Sequence, residues 1–356
     1  MGPTTSHSLT NAAGNERGHN GDMTNRSRHP DRVVALGGGT GLPAVLRGLR
    51  YLVATGAMAD LTAVVAMSDD GGSSGRLRRS RGLPPPGDVR NCLVALSAEE
   101  DLLAGLFQHR YSGEEELGGH NLGNLILAAL AEQTGSFLKA VEVSSRVLRT
   151  VGRILPVTLE DVSLVATLED GSRLVGESAI GKCRRQIKQV DLQPRTARPT
   201  PEVVDAILRA DLVVIGPGSL FTSVVPTLVL EDVARAVRET RAVRVLVANL
   251  VSERGEDSGL DLDDHLHILE AHAGGTFVDA VLVHQGPIDG ATVTRYQAEG
   301  ASPMSLQNGR TEGPHVIRRN LLADGPKLRH DSEATAAGLL CAWAELSRAG
   351  AVREGA

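Results

Sequence analysis

Aromatic side chains are scarce in this sequence. Phe, Trp and Tyr together make up 2% of the 356 residues. Proteins that bind single-stranded nucleic acid stack bases on aromatic rings, and little material for such a platform is present. Acidic residues outnumber basic ones by 43 to 37, and the net charge of −6 argues against attraction of a phosphate backbone by the overall field. We therefore expect no nucleic-acid partner and a ligand held mainly by backbone amides and polar side chains.

Cysteines and long apolar runs are also few. Cys92, Cys183 and Cys341 are far apart and form no CxxC pair, so neither a disulfide framework nor a zinc site is indicated. No run approaches the length of a membrane-spanning helix, and residues 1–30 lack the apolar centre of a signal peptide. We therefore expect a cytoplasmic protein without membrane insertion. The polar composition of residues 1–30 predicts a disordered tail.

Several common catalytic signatures are missing. The sequence contains no GxxxxGK[ST] phosphate loop and no HExxH zinc motif. Ordinary P-loop ATPases and zinc proteases are therefore disfavoured. Nucleotide binding and group-transfer chemistry remain as the classes to consider.

The most informative stretch covers residues 32–90. It opens with an apolar run, residues 33–36, and residues 42–51 have the apolar spacing of a helix. The turn between them consists of Gly37, Gly38, Gly39, Thr40 and Gly41. This order predicts the first strand, turn and helix of a parallel sheet, with turn amides able to meet a phosphate. The dinucleotide fingerprint GxGxxG is incomplete because Leu42 replaces its third glycine.

A second apolar run, residues 61–67, leads into a polar segment at the same sheet edge. That segment contains Asp69, Asp70, Gly71, Gly72, Ser73 and Arg76. Neighbouring side chains of an extended backbone point to opposite sides, so we expect only one of Asp69 and Asp70 to face a ligand. There it can hold a ribose hydroxyl or a hydrated Mg²⁺. The alternative is an aspartate turn that only stabilises the loop.

The connection after Arg76 is expected to remain a long loop as far as Asp88. Asp88 stands where a helix N-cap belongs, with Arg90 and Asn91 in the first turn facing that loop. The loop also carries a basic run, Arg78, Arg79 and Arg81. These three side chains belong either to the binding loop or to a solvated surface.

Residues 118–125 place His120, Asn121 and Asn124 at the start of another predicted helix. Capping requires one such side chain, whereas a binding role explains all three. A histidine in this setting serves as a hydrogen-bonding group as readily as a general base, so we assign no catalytic residue.

Two later strands also end in polar turns. Residues 211–215 lead into Gly216, Pro217, Gly218 and Ser219, and residues 243–249 end at Asn249. Ligands of open α/β sheets bind at the carboxyl ends of the strands. We therefore expect both segments to line the same crevice as the first glycine turn, although a serine-capped turn without a ligand is the structural alternative for the first of them.

We predict an α/β fold: a Rossmann-like, mostly parallel sheet with helices on both faces and a small antiparallel β excursion. The excursion is indicated by short β-like runs over residues 153–194, with a hairpin signal at Asp170 and Gly171. Residues 31–350 are expected to form one domain that carries this β-rich subdomain, ending in an amphipathic helix over residues 332–349.

Five motifs in this order resemble those of the gluconeogenesis factor family (YvcK type), which is related to the CofD-like 2-phospho-L-lactate transferases of deazaflavin cofactor synthesis. They are GGGTG, SDDGGSSGRLR, PPGDVRNCLVAL, GHNLGNL and ADLVVIGPGSLFTS. The resemblance covers about residues 33–296. It implies a Rossmann-like fold and a nucleotide crevice lined by residues 37–41, Asp69, Asp70, Asn91, Asn124 and residues 216–219.

The resemblance also implies a function. It suggests a cytoplasmic regulator without turnover that binds a UDP-sugar such as UDP-N-acetylglucosamine and supports cell shape and wall synthesis during gluconeogenic growth, with protein partners in cell-wall metabolism. The alternative is a transferase that joins phospholactate from a guanosine diphosphate donor to a deazaflavin alcohol, with Mg²⁺ at Asp69 and Asp70. A homo-oligomer stays open, because apolar helix faces serve cores and interfaces alike.

One departure from the family pattern stands out. Where the family pattern is N-L-M-T-Q-x-G-E-T, this chain has NLVSERGED over residues 249–257. Glu253 thus replaces an amide with a carboxylate, which would repel a nearby phosphate.

Overall fold

The structure is a computed structural model that describes residues 29–98, 102–253, 255–305 and 313–354. The disordered tail predicted for residues 1–30 falls almost entirely outside the described residues.

Seven parallel strands form the main sheet, and three antiparallel strands form a smaller one. In chain order the strands are β1 (Arg32–Gly37), β2 (Asp60–Val65), β3 (Arg153–Pro156), β4 (Ser163–Leu168), β5 (Arg173–Val175), β6 (Ile187–Gln193), β7 (Leu212–Ile215), β8 (Val243–Val247), β9 (Ala280–His284) and β10 (His315–Arg319). The main sheet has the order β10-β9-β8-β7-β1-β2-β3 and the smaller one the order β5-β4-β6. The predicted fold class is confirmed.

The strand order has a reversal point between β1 and β7. From β1 the chain builds outward through β2 and β3, and it then returns to place β7 on the other side of β1. Strands β1, β2 and β7 are almost completely buried, as expected for a parallel sheet covered on both faces. In such sheets the crevice at the reversal point is where ligands bind.

Helices flank the main sheet. They are α1 (Leu42–Ala54), α2 (Gly72–Arg81), α3 (Gly87–Leu96), α4 (Leu102–Gln108), α5 (Leu122–Thr134), α6 (Phe137–Val147), α7 (Glu177–Ile180), α8 (Pro201–Arg209), α9 (Val225–Leu228), α10 (Glu231–Glu239), α11 (Leu262–Ala273), α12 (Gly290–Ala298) and α13 (Ser332–Glu354). A π-helical turn, Leu220–Val224, precedes α9. Helix α13 packs against α1 and the β8, β9 and β10 strands. Within the described ranges, no helix combines the length and the apolar character needed to cross a membrane.

The long loop expected between β2 and Asp88 contains a helix, so that prediction is wrong in part. Helix α2 ends at Gly82, which has a left-handed backbone with a φ of +62°. Its glycine and serine content gives it little intrinsic helix preference, but Ser73, Ser74 and Leu77 are buried against the rest of the domain. Tertiary packing therefore stabilises a helix that local propensity does not indicate.

The three arginines of this basic run differ in their contacts, and none of them is among the residues that line the cleft described below. Arg78, on α2, is largely buried and forms an ion pair with Asp161 at 2.6 Å. Arg79 and Arg81 are exposed, and Arg81 pairs with Glu132 on α5. Only Arg78 ties α2 to the segment that leads into β4.

The antiparallel excursion is confirmed, but it begins later than expected. The turn between β4 and β5 is closed by Asp170, whose Oδ1 accepts hydrogen bonds from the amide and hydroxyl of Ser172 at 2.9 and 2.6 Å. In contrast, β3 pairs in parallel with β2 and is the edge strand of the main sheet. A four-residue apolar run has no periodicity that distinguishes the two kinds of strand.

The glycine turns after β1 and β7 lie in direct contact. A Cβ atom on Gly41 would lie 2.2 Å from the carbonyl oxygen of Pro217. On the far side of the second turn, the Asn249 side chain accepts a hydrogen bond from the amide of Gly218 at 3.0 Å and donates one to its carbonyl at 2.9 Å. The ends of β1, β7 and β8 are therefore joined at one edge of the sheet.

We expect Gly41→Ala to destabilise the protein. The added methyl group overlaps a backbone carbonyl that cannot rotate away, and overpacking of this kind costs about 1–3 kcal/mol. The matched control is Gly105→Ala in α4, where an added Cβ meets nothing within 4 Å. Urea unfolding should show a lower midpoint for Gly41→Ala and an equal or higher midpoint for Gly105→Ala. Equal stability of the two variants would contradict the contact.

Candidate functional site

A cleft of about 360 Å³ lies at the carboxyl edge of the sheet, at the reversal point between β1 and β7. Its walls come from the first glycine turn and α1, the turn after β7, the loop after β8 and the segment that leads into α13. The sequence-predicted residues that line it are Gly39, Thr40, Gly41, Asn91, Gly218, Ser219 and Asn249. Two separate glycine turns are thus brought to one site, as expected.

Cationic groups and a helix start give this cleft an affinity for anions. Helix α1 begins at the cleft with Gly41 as its N-cap and no side-chain cap, so the positive end of its dipole faces the cleft. Pro43 has no amide hydrogen and the Ala44 amide donates to the Gly41 carbonyl at 2.9 Å, so the dipole and not a row of free amides is what the helix start offers an anion. Arg47 and Arg329 also line the cleft. Arg47 follows Ala44 by one helical turn, so helix periodicity could have identified it, whereas no local pattern points to Arg329.

Asp88 stabilises the first glycine turn from behind. Helix α3 begins at Gly87 with Pro86 as its N-cap, so the predicted N-cap role of Asp88 is wrong. Its Oδ2 instead accepts a hydrogen bond from the Gly39 amide at 2.7 Å. Burial raises the pKa of Asp88 to about 6, with the nearby Asp69 adding to the rise and the Gly39 bond opposing it. The carboxylate therefore holds the turn and is unavailable as a simple helix cap.

Asn91 and Arg90 extend this support. The Asn91 side-chain amide donates to the Gly39 carbonyl at 3.4 Å, and its Oδ1 accepts from the Arg90 guanidinium at 2.5 Å. Arg90 is buried and also donates to Asn124 Oδ1 at 3.3 Å. Asn91 thus lines the cleft, while Arg90 lies in the layer behind it.

The His120 segment forms a hydrogen-bonded network with α2. Ser73 Oγ accepts from the Asn121 amide at 3.3 Å and lies 3.1 Å from His120 Nδ1. Asn121 is the N-cap of α5 and accepts from the Asn124 amide, and Asn124 donates to Ser74 Oγ at 3.4 Å. None of these side chains is among the residues that line the cleft. These hydrogen bonds join α2 to the start of α5, next to the elements that form the cleft.

Asp69 and Asp70 diverge, as the alternation of side chains predicts. Asp69 Oδ1 accepts from the Gly71 amide at 2.9 Å, which is the aspartate turn. Asp70 Oδ1 accepts from the Ser178 amide at the start of α7, also at 2.9 Å. Across the described ranges, no three His, Cys, Asp or Glu side chains are grouped to hold a metal ion. The predicted pair therefore does not converge on one point.

Glu177 was not assigned to the site by the sequence. It comes from α7, and its Oε2 accepts from Ser68 Oγ at 3.3 Å. Burial raises its pKa to about 9, and Asp69 and Asp88 add to the rise. The antiparallel excursion thus contributes a protonated acid beside the end of β2.

The remaining predicted residues shape the turns without lining the cleft. Arg76 donates to the Gly118 carbonyl at 2.8 Å and so joins α2 to the turn before His120. The others are Gly37, Gly38, Gly71, Gly72, Gly216 and Pro217. At Gly38 a Cβ would lie 2.8 Å from Asp88 Oδ2, so a side chain there would displace the carboxylate that holds the turn.

Comparison with known proteins identifies the family. Residues 33–322 match the family model described as 2-phospho-L-lactate transferase CofD. The gluconeogenesis factor of Halalkalibacterium halodurans is 40% identical over 311 residues, covering 86% of this chain and 95% of the relative. The chain belongs to the gluconeogenesis factors of the CofD family.

Other relatives match this CofD-family protein over a similar length of chain, and one of them has a similar crystal structure. The gluconeogenesis factor of Bacillus subtilis is 40% identical over 312 residues, covering 87% of this chain and 97% of the relative. A crystal structure of a UPF0052 family member from Bacillus halodurans superposes with a TM-score of 0.82 at 40% identity, covering 87% of this chain and 99% of the other. The whole α/β domain is therefore shared.

The loop after β8 brings an acidic group to the cleft of this CofD-family member. Glu253 lines the cleft, and its Oε2 accepts a hydrogen bond from Ser219 Oγ at 2.7 Å. Ser219 therefore already donates its hydroxyl proton within the protein. Burial raises the pKa of Glu253, and the hydrogen bond from Ser219 opposes that rise. While Glu253 is ionised, the predicted role of Ser219 as an anion donor is limited to its backbone amide.

Behind the cleft, the same loop buries Glu256 and Asp257. Glu256 is 4% exposed, and its Oε1 accepts from the Phe221 amide at 3.2 Å. Burial raises its pKa to about 8, with Glu253 and Asp257 adding to the rise. Asp257 Oδ2 lies 3.0 Å from His265 Nε2 of α11. These contacts anchor the loop to α11 and to the π-helical turn.

His330 is a cleft residue that local sequence patterns did not identify. Its Nε2 lies 3.1 Å from the Ala248 carbonyl oxygen, which can only accept, so Nε2 carries the proton. Burial lowers the pKa of His330 to about 4. The ring is therefore neutral near pH 7, and Nδ1 is a hydrogen-bond acceptor.

Glu256→Gln is expected to reduce the pH dependence of stability. The folded pKa of about 8 exceeds the ordinary value of 4.5, so the folded protein keeps a proton that the unfolded chain has released. The free energy of unfolding then falls as the pH rises between these values. From pH 6 to pH 8 this group alone accounts for roughly 2 kcal/mol, which the amide lacks.

Urea unfolding at pH 6 and pH 8 measures this effect. Glu142→Gln, at an exposed position of α6, is the matched control and should retain the wild-type pH dependence. The free energy of unfolding of Glu256→Gln should still depend on pH to some extent, because the pKa values of Asp88 and Glu177 are raised as well. An undiminished loss of stability in Glu256→Gln would show that this carboxyl is not buried as a neutral acid.

Proposed function

We propose that this protein is a nucleotide-sugar-binding regulator, with a UDP-sugar such as UDP-N-acetylglucosamine bound in the cleft. The observation that carries the proposal is the cleft at the reversal point of the sheet, where two glycine turns, a helix start and two arginines meet. Its volume of about 360 Å³ is in the range of small-molecule sites. The cleft offers groups that can bind an anion and groups that can bind hydroxyls, and a nucleotide sugar carries both a diphosphate and sugar hydroxyls.

The lining suits the parts of such a ligand. A diphosphate is matched by the positive end of the α1 dipole and by the positive charges of Arg47 and Arg329. Sugar and ribose hydroxyls are matched by the amide side chains of Asn91 and Gln108. Few aromatic residues are needed for this mode of recognition.

Binding without turnover is favoured by the state of the cleft histidine. His330 donates to the Ala248 carbonyl and has its pKa lowered to about 4. A base with so low a pKa accepts protons poorly near pH 7. This supports a regulatory role over an enzymatic one.

The names of the relatives support a proposal for the biological role. Those from Bacillus subtilis and Halalkalibacterium halodurans carry the name gluconeogenesis factor. We extend that role to this chain and place it in the cytoplasm, where the bound UDP-sugar reports precursor supply to protein partners of cell-wall synthesis during gluconeogenic growth. Loss of the protein should then impair growth and cell shape on gluconeogenic carbon sources and not on glucose.

Isothermal titration with UDP-N-acetylglucosamine, UDP and GDP tests the binding proposal. We expect a saturable signal with both uridine ligands, and the absence of heat with either would refute the proposal. Arg329→Gln should weaken UDP binding about 10-fold, because hydrogen bonds to charged groups contribute about 1.5–3 kcal/mol. Arg318→Gln on β10, exposed and outside the cleft lining, is the control and should bind as the wild type does.

A second candidate function is 2-phospho-L-lactate transfer to a deazaflavin alcohol, favoured by the description of the matching family model. Mg²⁺ takes one or two carboxylates together with phosphate oxygens. Asp69 and Asp88, which interact electrostatically beside the first glycine turn, fit that requirement better than the pair Asp69 and Asp70. The bound ion would neutralise charge on the phosphates.

A transferase assay distinguishes this alternative. Purified protein, Mg²⁺, a guanosine diphosphate-linked phospholactate donor and the deazaflavin acceptor should give no product if the regulator proposal holds. Product formation that Asp88→Asn abolishes would establish the transferase instead, provided that a known transferase is active in the same assay.

A further inference from the structure

Glu253 has an unusual position for an acidic side chain. The charged side chains among the described residues that line the cleft are Arg47, Glu253 and Arg329, so Glu253 is the single carboxylate there. A site built only to hold a diphosphate would gain nothing from this group, because like charges repel. The carboxylate therefore needs a separate explanation.

The carboxylate is held in place by several contacts. Its Oε2 accepts from Ser219 Oγ at 2.7 Å. The Glu253 amide donates to Asp257 Oδ1, and the Glu253 carbonyl accepts from Ser258 Oγ at 3.3 Å. Asp257 is fixed in turn by the buried His265 at 3.0 Å. A carboxylate anchored through both its backbone and its side chain cannot readily swing away from a ligand.

One oxygen of this carboxylate remains available. Oε1 receives no hydrogen bond from the residues that the structure describes, whereas Oε2 is engaged by Ser219. His330 also lines the cleft, and its Nδ1 atom can act as an acceptor because the other ring nitrogen donates to the Ala248 carbonyl. The cleft thus offers acceptors for hydrogen-bond donors in addition to its cations for phosphates.

We infer that Glu253 determines specificity, selecting nucleotide sugars whose sugar is uncharged and rejecting those that carry a carboxylate. The inference rests on the proposed function and narrows its substrate class. Hydroxyl groups donate charge-assisted hydrogen bonds to the free carboxylate oxygen, whereas a second anion meets an anchored like charge. Rejection by repulsion is a common means of discrimination between similar ligands.

Titration with UDP-glucose and UDP-glucuronate tests the inference, because the two ligands differ only in a hydroxymethyl group against a carboxylate at C6 of the sugar. The wild type should prefer UDP-glucose by about 10-fold or more, the size of effect expected when like charges are brought together. In Glu253→Gln the ratio of dissociation constants should fall to about 3 or less, mainly because UDP-glucuronate binds better. UDP lacks the sugar and should still bind both proteins. A change in UDP affinity affects both sugar nucleotides alike, so the ratio of their dissociation constants reports on the sugar alone.

Two further variants control for the chemical change itself and for a failure of Glu253→Gln to fold. Glu142→Gln, the same chemical change at an exposed position of α6, should retain the wild-type ratio. Ser219→Ala leaves the carboxylate in the cleft without its hydroxyl partner and should reject UDP-glucuronate at least as strongly as the wild type. This variant tests the inference even if Glu253→Gln does not fold, since a loss of rejection in Ser219→Ala would overturn it.

The outcomes separate this inference from the proposed function. An equal preference in the wild type and Glu253→Gln, with UDP still bound, overturns the role of Glu253 and leaves nucleotide-sugar binding intact. No binding of UDP or of either sugar nucleotide to the wild type overturns the proposed function and this inference with it.

Discussion

The close approach of two glycine turns is the constraint on which the site depends. Gly41 and Pro217 meet backbone to backbone, and any side chain at Gly41 would separate the ends of β1 and β7. Because these strands flank the reversal point of the sheet, their contact sets the width of the cleft and directs the start of α1 into it. The Asn249 side chain then ties the end of β8 to the same turn.

Acidic groups surround this arrangement, and most of them are structural. Burial raises the pKa values of Asp88, Glu177 and Glu256, so these carboxyls keep their protons more readily than exposed ones. A neutral acid costs much less to bury than a carboxylate and can still hold a turn or a loop. Among the described residues that line the cleft, the charged side chains are Arg47, Arg329 and Glu253. Burial raises the pKa of Glu253 as well, but its hydrogen bond from Ser219 favours the carboxylate form.

The family relationship and the details of the site answer different questions. The shared domain and the similarity to gluconeogenesis factors establish the fold and the lineage. Ligand choice depends on side chains that vary within a common fold, because function resides in the site and not in the architecture. Glu253 is a side chain in a position to act in this way, because it accepts a hydrogen bond from the Ser219 hydroxyl and lines the cleft.

The sequence alone determined the fold class and the glycine turns after β1 and β7, because these features follow from apolar periodicity and from backbone preferences that act over a few residues. It left open whether Asn121 caps α5 or binds a ligand, and the structure shows the cap. Helix α2 was missed because its packing outweighs its poor propensity, and β3 was misplaced because a short apolar run carries no register. Only the tertiary structure turned Asp88 toward Gly39, joined Ser73 to His120 and brought Arg329 and His330 to residues almost 300 positions earlier in the chain. The order of strands in the sheet decides such meetings, and that order arises from long-range packing that no local pattern encodes.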